Sequence, residues 1–336
     1  MRRGRKRDVT RILAEEAVGP TTRERYALAL RRFEFYLVTM CFSLTMLYVD
    51  FAYTDERAAS YLQWLYEQNL PQQWGGDTIS AIQDRYPELK SNLHRSWRNF
   101  SSWKRLEPPR RAKPIGSICM QLLLYVLFNA GGPVGTQSIL SIASLAVYSC
   151  LIFCCLLRPA EIVNLQWSDI SLEYIEGKTV ISIAIDHSKT SVRKLITEYV
   201  TSNDAFLFSM LLLLQELSSG SHIWGYPAPQ FAHIFATWQI AAGLHGFSPY
   251  SFKRGGATAA FMAHRSYDRL CQEGRWSSIT AARRYLDDSM SSLVRLRIPE
   301  RPESYRRFLR RLTVSTLQAY DSEIEMAGLE SRVLQW

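Results

Sequence analysis

Residues Ser138 to Leu157 read SILSIASLAVYSCLIFCCLL, twenty positions without a charge. A helix through this run is apolar all round, so it cannot lie on a protein surface. Two environments accept it. One is a bilayer, which roughly 20 apolar residues can span. The other is the centre of a soluble core. Four serines interrupt the run, no second span follows, and the chain continues directly into the polar RPAEIVNLQWSD. These features favour the core. The rest of the chain must then wrap the helix on every side. With 336 residues, 47% of them hydrophobic and 21% charged, it has the material to do so and the length for two domains.

The patterning around this helix suggests where those domains lie. Residues 1–17 are a basic tail. In GPTTRERYALALRRFEFYLVTM, apolar residues recur at Tyr26, Leu28, Leu30, Phe33 and Leu37, and Thr21 with Glu24 can close a capping box. Helical patterns continue through DERAASYLQWLYEQNL and from Thr78 to about Trp103, giving an all-helical domain over 18–105. KRLEPPRRAKPIG follows, with three prolines and five cations, and its segment 106–114 reads as an extended basic linker. The second domain, 115–300, is mixed. Helices are expected over Ser117 to Asn129, the Ser138 run, Asp204 to Leu217, Gln230 to Ala242 and Pro249 to His264. A short helix and turn should follow Arg158. KTVISIAIDHSKTSVRKLITEYVT alternates Val, Ile and Thr on both sides of a turn and signals a β-hairpin. A C-terminal helical segment occupies 301–336. The fold class is mostly α with a small sheet (α+β).

Lys and Arg total 40 against 31 Asp and Glu, a net charge of +9. That balance favours a polyanionic partner such as nucleic acid or an anionic membrane surface. The chain opens MRRGRKR with no apolar stretch behind it, so no secretory signal is read there. The cluster suits a nuclear-import signal, a DNA-touching arm or a solvated tail. Six cysteines form no CxxC pair and suit neither a zinc site nor a disulfide framework. Reduced thiols in an intracellular compartment are expected.

Several residues are candidates for chemistry, each beside a plainer alternative. Arg158 leaves the buried run with Pro159 at a helix N1 position and Glu161 one turn along. A rigid guanidinium fork there suits a phosphate; the alternative is an Arg158–Glu161 pair. Lys189, at the hairpin turn, can donate a proton to a leaving oxygen or be an ordinary turn lysine. SPYSFKRGGAT places Lys253 and Arg254 side by side ahead of two glycines. In EGRWSSITAARRYLDD, Trp276 stands nine residues before Tyr285, a phenol that can serve as a nucleophile or fill a core.

The order of these motifs resembles the tyrosine recombinase (phage integrase) family. L-R-x-x-E, a hairpin lysine, a basic box before GGAT, and G-R-W with a tyrosine nine residues on fall in sequence over about 115 to 290. TTRERYALALRRFEFYL is similar to that family's core-binding domain. YPELKSNLHRSWRNFSSWKRLEPPRRAKP is similar to members carried by eukaryotic mobile elements, which would act in the nucleus.

The resemblance implies site-specific cutting and rejoining of double-stranded DNA through a 3′-phosphotyrosyl bond to Tyr285. In it, Arg158 and a second cation hold the phosphate, Lys189 protonates the leaving oxygen, Trp276 donates its indole N–H, and Glu161 supports Arg158. It implies no metal, no cofactor and no membrane. It also implies homo-oligomers, dimer to tetramer, on DNA, with the C-terminal segment docking on a neighbouring protomer or on its own domain. Arg105, Arg110, Arg111 and Lys113 would touch the DNA backbone.

One box departs from the family pattern His-x-x-Arg. Aligning on GGAT puts Tyr250 and Lys253 at those positions and leaves Arg254 to the DNA backbone or solvent. Sliding by one residue nominates Ser251 and Arg254 instead. A lysine is a point charge without the fork, so a DNA-binding protein of the same fold that no longer cuts is an alternative. A relaxing enzyme of the type IB topoisomerase kind is another.

Overall fold

The computed structural model describes residues 18–108, 112–129, 138–175, 178–186, 197–224, 228–286 and 302–326. The chain forms two compact units, one ending at Arg110 and one beginning at Arg111.

The first unit has four helices: α1 (Pro20–Thr39), α2 (Phe51–Glu67), α3 (Gln72–Arg85) and α4 (His94–Leu106). The expected Thr21–Glu24 capping box is not formed. Gly19 is the N-cap and Pro20 takes N1, because its fixed φ and missing N–H suit the first turn. The continuous helical pattern from Thr78 is divided at Pro87, which opens a short 3₁₀ turn (Pro87–Ser91) between α3 and α4. Aromatic rings fill the centre: the Tyr36 ring lies 5.1 Å from Tyr61 and 5.2 Å from Trp64.

The N-terminus of α4 is capped from another helix. Asp55 of α2 is buried and accepts from the Arg95 N–H (2.8 Å), the Ser96 N–H (2.9 Å) and the Ser96 hydroxyl (2.7 Å). Its carboxylate satisfies N–H groups that a helix start leaves open. Asp55→Ala should destabilise this unit by about 2 kcal/mol, read as an earlier denaturant midpoint. Asp55→Asn should recover part of the loss.

In the second unit the apolar run is helix α6 (Ile139–Cys154), capped by Ser138. Every residue from Ala143 to Ile152 is buried. Its serines are satisfied internally: the Ser144 and Ser149 hydroxyls donate to the carbonyls of Leu140 and Leu145. No helix among the described residues is long and apolar enough to cross a membrane. Packed around α6 are α5 (Ser117–Asn129), the short α7 (Pro159–Val163), α8 (Ala205–Leu217), α9 (Ala228–Ala241) and α10 (Tyr250–His264). Short helices α11 (Tyr267–Gly274) and α12 (Ile279–Arg283) follow. Helix α13 (Pro302–Met326) packs on α5 and α8 of its own unit, with Tyr305 and Leu309 buried.

The hairpin belongs to a three-stranded antiparallel sheet, ordered β1 (Ile170–Ile175), β2 (Lys178–Ile185), β3 (Glu198–Ser202). Thr179, Ile181, Ile183 and Ile185 of β2 alternate inward. Val200 pairs with Ile183, and Glu198 with Ile185. Strand β1 was not anticipated from sequence; it is a largely exposed edge with a short apolar alternation over Ile170, Leu172 and Tyr174.

Candidate active site

Helix α6 ends at Cys154, and Leu156 turns the chain through a left-handed conformation (φ 51°) toward Arg158. Arg158 is the N-cap of α7, and Pro159 takes N1. The buried Glu161 folds back on it. One carboxylate oxygen accepts the Arg158 backbone N–H at 2.7 Å, and the other accepts Arg158 Nη1 at 2.6 Å. The Arg158–Glu161 pair therefore exists. Its arginine side chain still keeps 30% of its surface exposed, so the pairing does not remove the guanidinium from a ligand's reach.

The two cations of α10 have separate surroundings. Tyr250 and Lys253 are three residues apart and share a helix face, whereas Arg254 is turned about 100° further. Lys253 points toward Leu156, and its Nζ donates to the Leu156 carbonyl at 2.7 Å. Its Nζ lies 5.5 Å from the Trp276 ring centre and 5.8 Å from that of Tyr285. Arg254 is not left to solvent: it is 3% exposed, and its Nη1 donates to the carbonyl of Ala112. Ser251, the partner of Arg254 in the shifted alignment, is buried, with its hydroxyl accepting the Ser248 N–H.

The glycines explain how α10 sits so close to its neighbours. A Cβ on Gly255 would lie 1.8 Å from the Ile115 carbonyl oxygen, and one on Gly256 would lie 1.9 Å from that of Phe153. The pair lets the helix pass between the chain at Ile115 and the end of α6, and this packing fixes the helix phase.

Trp276 and Tyr285 complete the cluster. Gly274 ends α11, and a Cβ there would strike the Trp276 ring at 2.0 Å. The Trp276 and Tyr285 ring centres are 4.6 Å apart. The Tyr250 hydroxyl donates to the Tyr285 hydroxyl oxygen at 2.6 Å. The indole N–H of Trp276 is buried and has no acceptor among the described residues. The structure thus brings Arg158, Glu161, Tyr250, Lys253, Trp276 and Tyr285 together. Lys189, Arg110 and Arg111 lie outside the described residues. Arg105 is exposed near the end of α4, with one N–H on the Ser102 hydroxyl, and Lys113 is exposed at the start of the second unit.

A further residue of this cluster is Arg275. It is 7% exposed and donates to Glu161 at 2.7 Å and to Glu198 at 3.4 Å. It stands inside the G-R-W motif, but no local pattern identifies partners that are 114 and 77 positions away.

The electrostatics follow from burial and this crowding of charge. Burial pushes the Lys253 ammonium down to about 7; Arg158 and Arg275 push it the same way, while Glu161 and Glu198 partly oppose them. For Glu161, burial favours the neutral acid, but Arg275, the Arg158 N–H and the Arg158 charge outweigh it and lower its pKa. The Tyr250 phenol is raised, first by burial and then by its hydrogen bond to Tyr285.

The Lys253 shift has a definite sign in stability. Above about pH 7 the folded chain gives up a proton that the unfolded chain keeps. Stability contributed by this site therefore rises with pH from about 7 toward 9, before tyrosines of the unfolded chain begin to ionise. Lys253→Met should flatten that rise in denaturation curves recorded across the window.

No family model matches the sequence, and no curated protein matches it. Solved structures do. The Tn1549 transposon integrase in complex with transposon right end DNA aligns over 85% of this chain and 95% of its own, at 13% identity and a TM-score of 0.59. The XerH site-specific recombinase in a post-cleavage complex with a palindromic difH substrate aligns over 78% and 75%, at 15% identity and a TM-score of 0.57. A lambda integrase dimer bound to a COC′ core site aligns over 82% and 74%, at 14% identity and a TM-score of 0.55. At these identities the likeness is one of fold.

Proposed function

We propose that this chain, which has the fold of the tyrosine recombinases, is a site-specific recombinase or integrase that cuts and rejoins duplex DNA through Tyr285. The observation that carries the reading is the convergence on one phenol. Tyr250 donates to the Tyr285 oxygen at 2.6 Å, the Trp276 ring lies tilted 4.6 Å from its ring, Lys253 Nζ is 5.8 Å from the ring centre, and the partly exposed Arg158 is close enough to Tyr250 and Lys253 for its charge to act on both. A phenolate developing on Tyr285 is stabilised by the Tyr250 hydrogen bond. Charge building on the phosphate oxygens is met by Arg158, by Lys253 once the phosphate's own charge favours its protonated form, and by the Trp276 N–H.

In the reaction, the Tyr285 oxygen bonds to phosphorus and gives up its proton. The bond to the 5′ oxygen breaks, and that oxygen takes a proton and leaves as a hydroxyl. The resemblance assigns this proton to Lys189. Reversal by a new 5′ hydroxyl rejoins the strand, because the phosphotyrosine conserves the bond energy. A nicked suicide duplex taken from the ends of the chain's own genetic element is the test. Wild type should give a denaturant-resistant protein–DNA adduct.

Strand exchange needs several protomers, so a dimer to tetramer on DNA is part of the reading, supported by the dimeric state of the lambda integrase complex. A mobile-element role, with nuclear action in a eukaryotic host, belongs to the same proposal. Arg105, Arg110, Arg111 and Lys113 would neutralise phosphates. Replacing all four by Gln should weaken binding and flatten the dependence of log K on log salt by about 0.9 per lost contact. An unchanged slope would remove these residues from the interface.

Two observations favour a second reading, a DNA-binding protein that no longer cuts. Lys253 is wholly buried on a carbonyl, and the Tyr285 oxygen is held by another tyrosine. Tight duplex binding without any adduct would establish it. Relaxation of supercoiled plasmid lacking a cognate site would point instead to the type IB topoisomerase kind.

A further inference from the structure

Arg275 performs none of the steps above, yet its contacts reach the groups that hold Arg158 and Lys253. It holds a left-handed backbone (φ 56°), which a residue with a Cβ adopts only when its surroundings enforce it. Its Nη2 donates to Glu161 Oε2 at 2.7 Å and reaches the Leu156 carbonyl at 3.5 Å, while its Nη1 reaches Glu198 at 3.4 Å. Each contact leads to a different component. Glu161 Oε2 also accepts the Arg158 backbone N–H. The Leu156 carbonyl is the acceptor of Lys253. Glu198 opens β3, the strand that follows the segment carrying Lys189. Trp276 is the next residue along the chain. A planar fork holds its donors at fixed angles, whereas an ammonium is a compact point charge whose three donors rotate.

We propose that Arg275 is a positioning residue for the phosphate site, fastening α7, β3 and the Gly-Arg-Trp turn into one frame that aims Arg158 and seats Lys253 at the Leu156 carbonyl that Lys253 and Arg275 share. The part concerning Arg158 rests on the DNA-cutting reading given above; the part concerning Lys253 stands without it. The charged groups facing Lys253 are Arg158 and Glu161 from α7, Glu198 from β3 and Arg275 itself, and Arg275 is one of the two that disfavour its proton. Taking Arg275 away therefore leaves the two carboxylates less opposed.

The experiment uses the full chain, with two readouts for each variant. One is the titration of Lys253 by NMR of the labelled lysine side chain, assigned with Lys253→Met. The other is single-turnover cleavage of the suicide duplex as a function of pH, beside duplex affinity. For Arg275→Ala the Lys253 titration should move to higher pH. Cleavage should fall about 100-fold, the usual size of an ångström-scale misplacement, with duplex affinity held within about threefold. Arg275→Lys should return the titration close to its wild-type position but restore the rate only in part.

An Arg275→Ala protein that folds, cuts at the wild-type rate and leaves the Lys253 titration in place would overturn the proposal. Should that variant not fold, Glu198→Gln decides. It removes an anion that favours the Lys253 proton, so the titration should move to lower pH and cleavage should slow; no change in either refutes the frame. If wild type forms no adduct, the DNA-cutting reading fails, and the titrations alone still confirm or refute the hold on Lys253.

Discussion

Tyr285→Phe should remove the covalent adduct expected of the proposed enzyme, with single-turnover cleavage falling by roughly 10⁴-fold or more, the scale of losing a nucleophile outright. The substitution deletes one oxygen and keeps the ring that packs against Trp276, so the fold and duplex binding should survive. A second phenol stands 2.6 Å away, which makes the companion variant informative. Tyr250→Phe takes away a hydrogen bond but leaves the nucleophile. Loss of one donor that favours the phenolate costs about 10²- to 10³-fold at most, and an adduct should remain. Mapping the adduct by peptide mass separates the two tyrosines. Cross-linking to Tyr250, or an adduct that persists in Tyr285→Phe, would assign the nucleophile wrongly here.

Gly256→Ala and Gly255→Ala should each cost the second unit about 4 kcal/mol or more. The reason is not helix propensity, which favours alanine. Each new methyl meets a backbone oxygen, at 1.9 Å for Gly256 and 1.8 Å for Gly255, and a backbone cannot swing aside as a long side chain can. The oxygens lie on opposite neighbours of α10, at Phe153 and at Ile115, so relief on one side tightens the other. Thermal melts and soluble yield read the loss. Gly220→Ala is the control: a Cβ there meets nothing within 4 Å, and its effect should stay within about 0.5 kcal/mol. If all three glycines tolerate alanine equally, the close passage of α10 is wrong.

The helices of the second unit were legible where periodicity and punctuation agreed. The bounds of α5 match those read from sequence, and the Ser138 run is the central helix because an all-round apolar surface is satisfied at the centre of a packed core. Pro249 marked the start of α10. The division at Pro87 was also written in the sequence, but the apolar repeat on both sides of it masked the break. Strand β1 does alternate Ile170, Leu172 and Tyr174 with Ser171 and Glu173, so its signal was present in the sequence but short.

Legibility of the site divides along similar lines. Of the residues the motif order nominated, Arg158, Glu161, Tyr250, Lys253, Trp276 and Tyr285 lie together, and Lys189 falls outside the described residues. What sequence could not supply was the partner of each charge. Arg254 looked like a surface cation because its acceptor, the Ala112 carbonyl, lies 142 positions away and is a backbone atom with no signature of its own. Arg275 was passed over for the same reason, since its two carboxylates reach it only through the tertiary fold.

That hidden grip has a mechanical meaning. Arg254 holds the carbonyl of Ala112, and three residues later the Ile115 N–H is bonded to the carbonyl of Ser251. The first described stretch of the second unit is therefore pinned at two points to the helix that presents Tyr250 and Lys253. A pull on the chain ahead of Ala112 is borne by that helix before it reaches the core. The load enters within one turn of Tyr250 and Lys253, so a pull at Ala112 and the aim of those two side chains are a single variable.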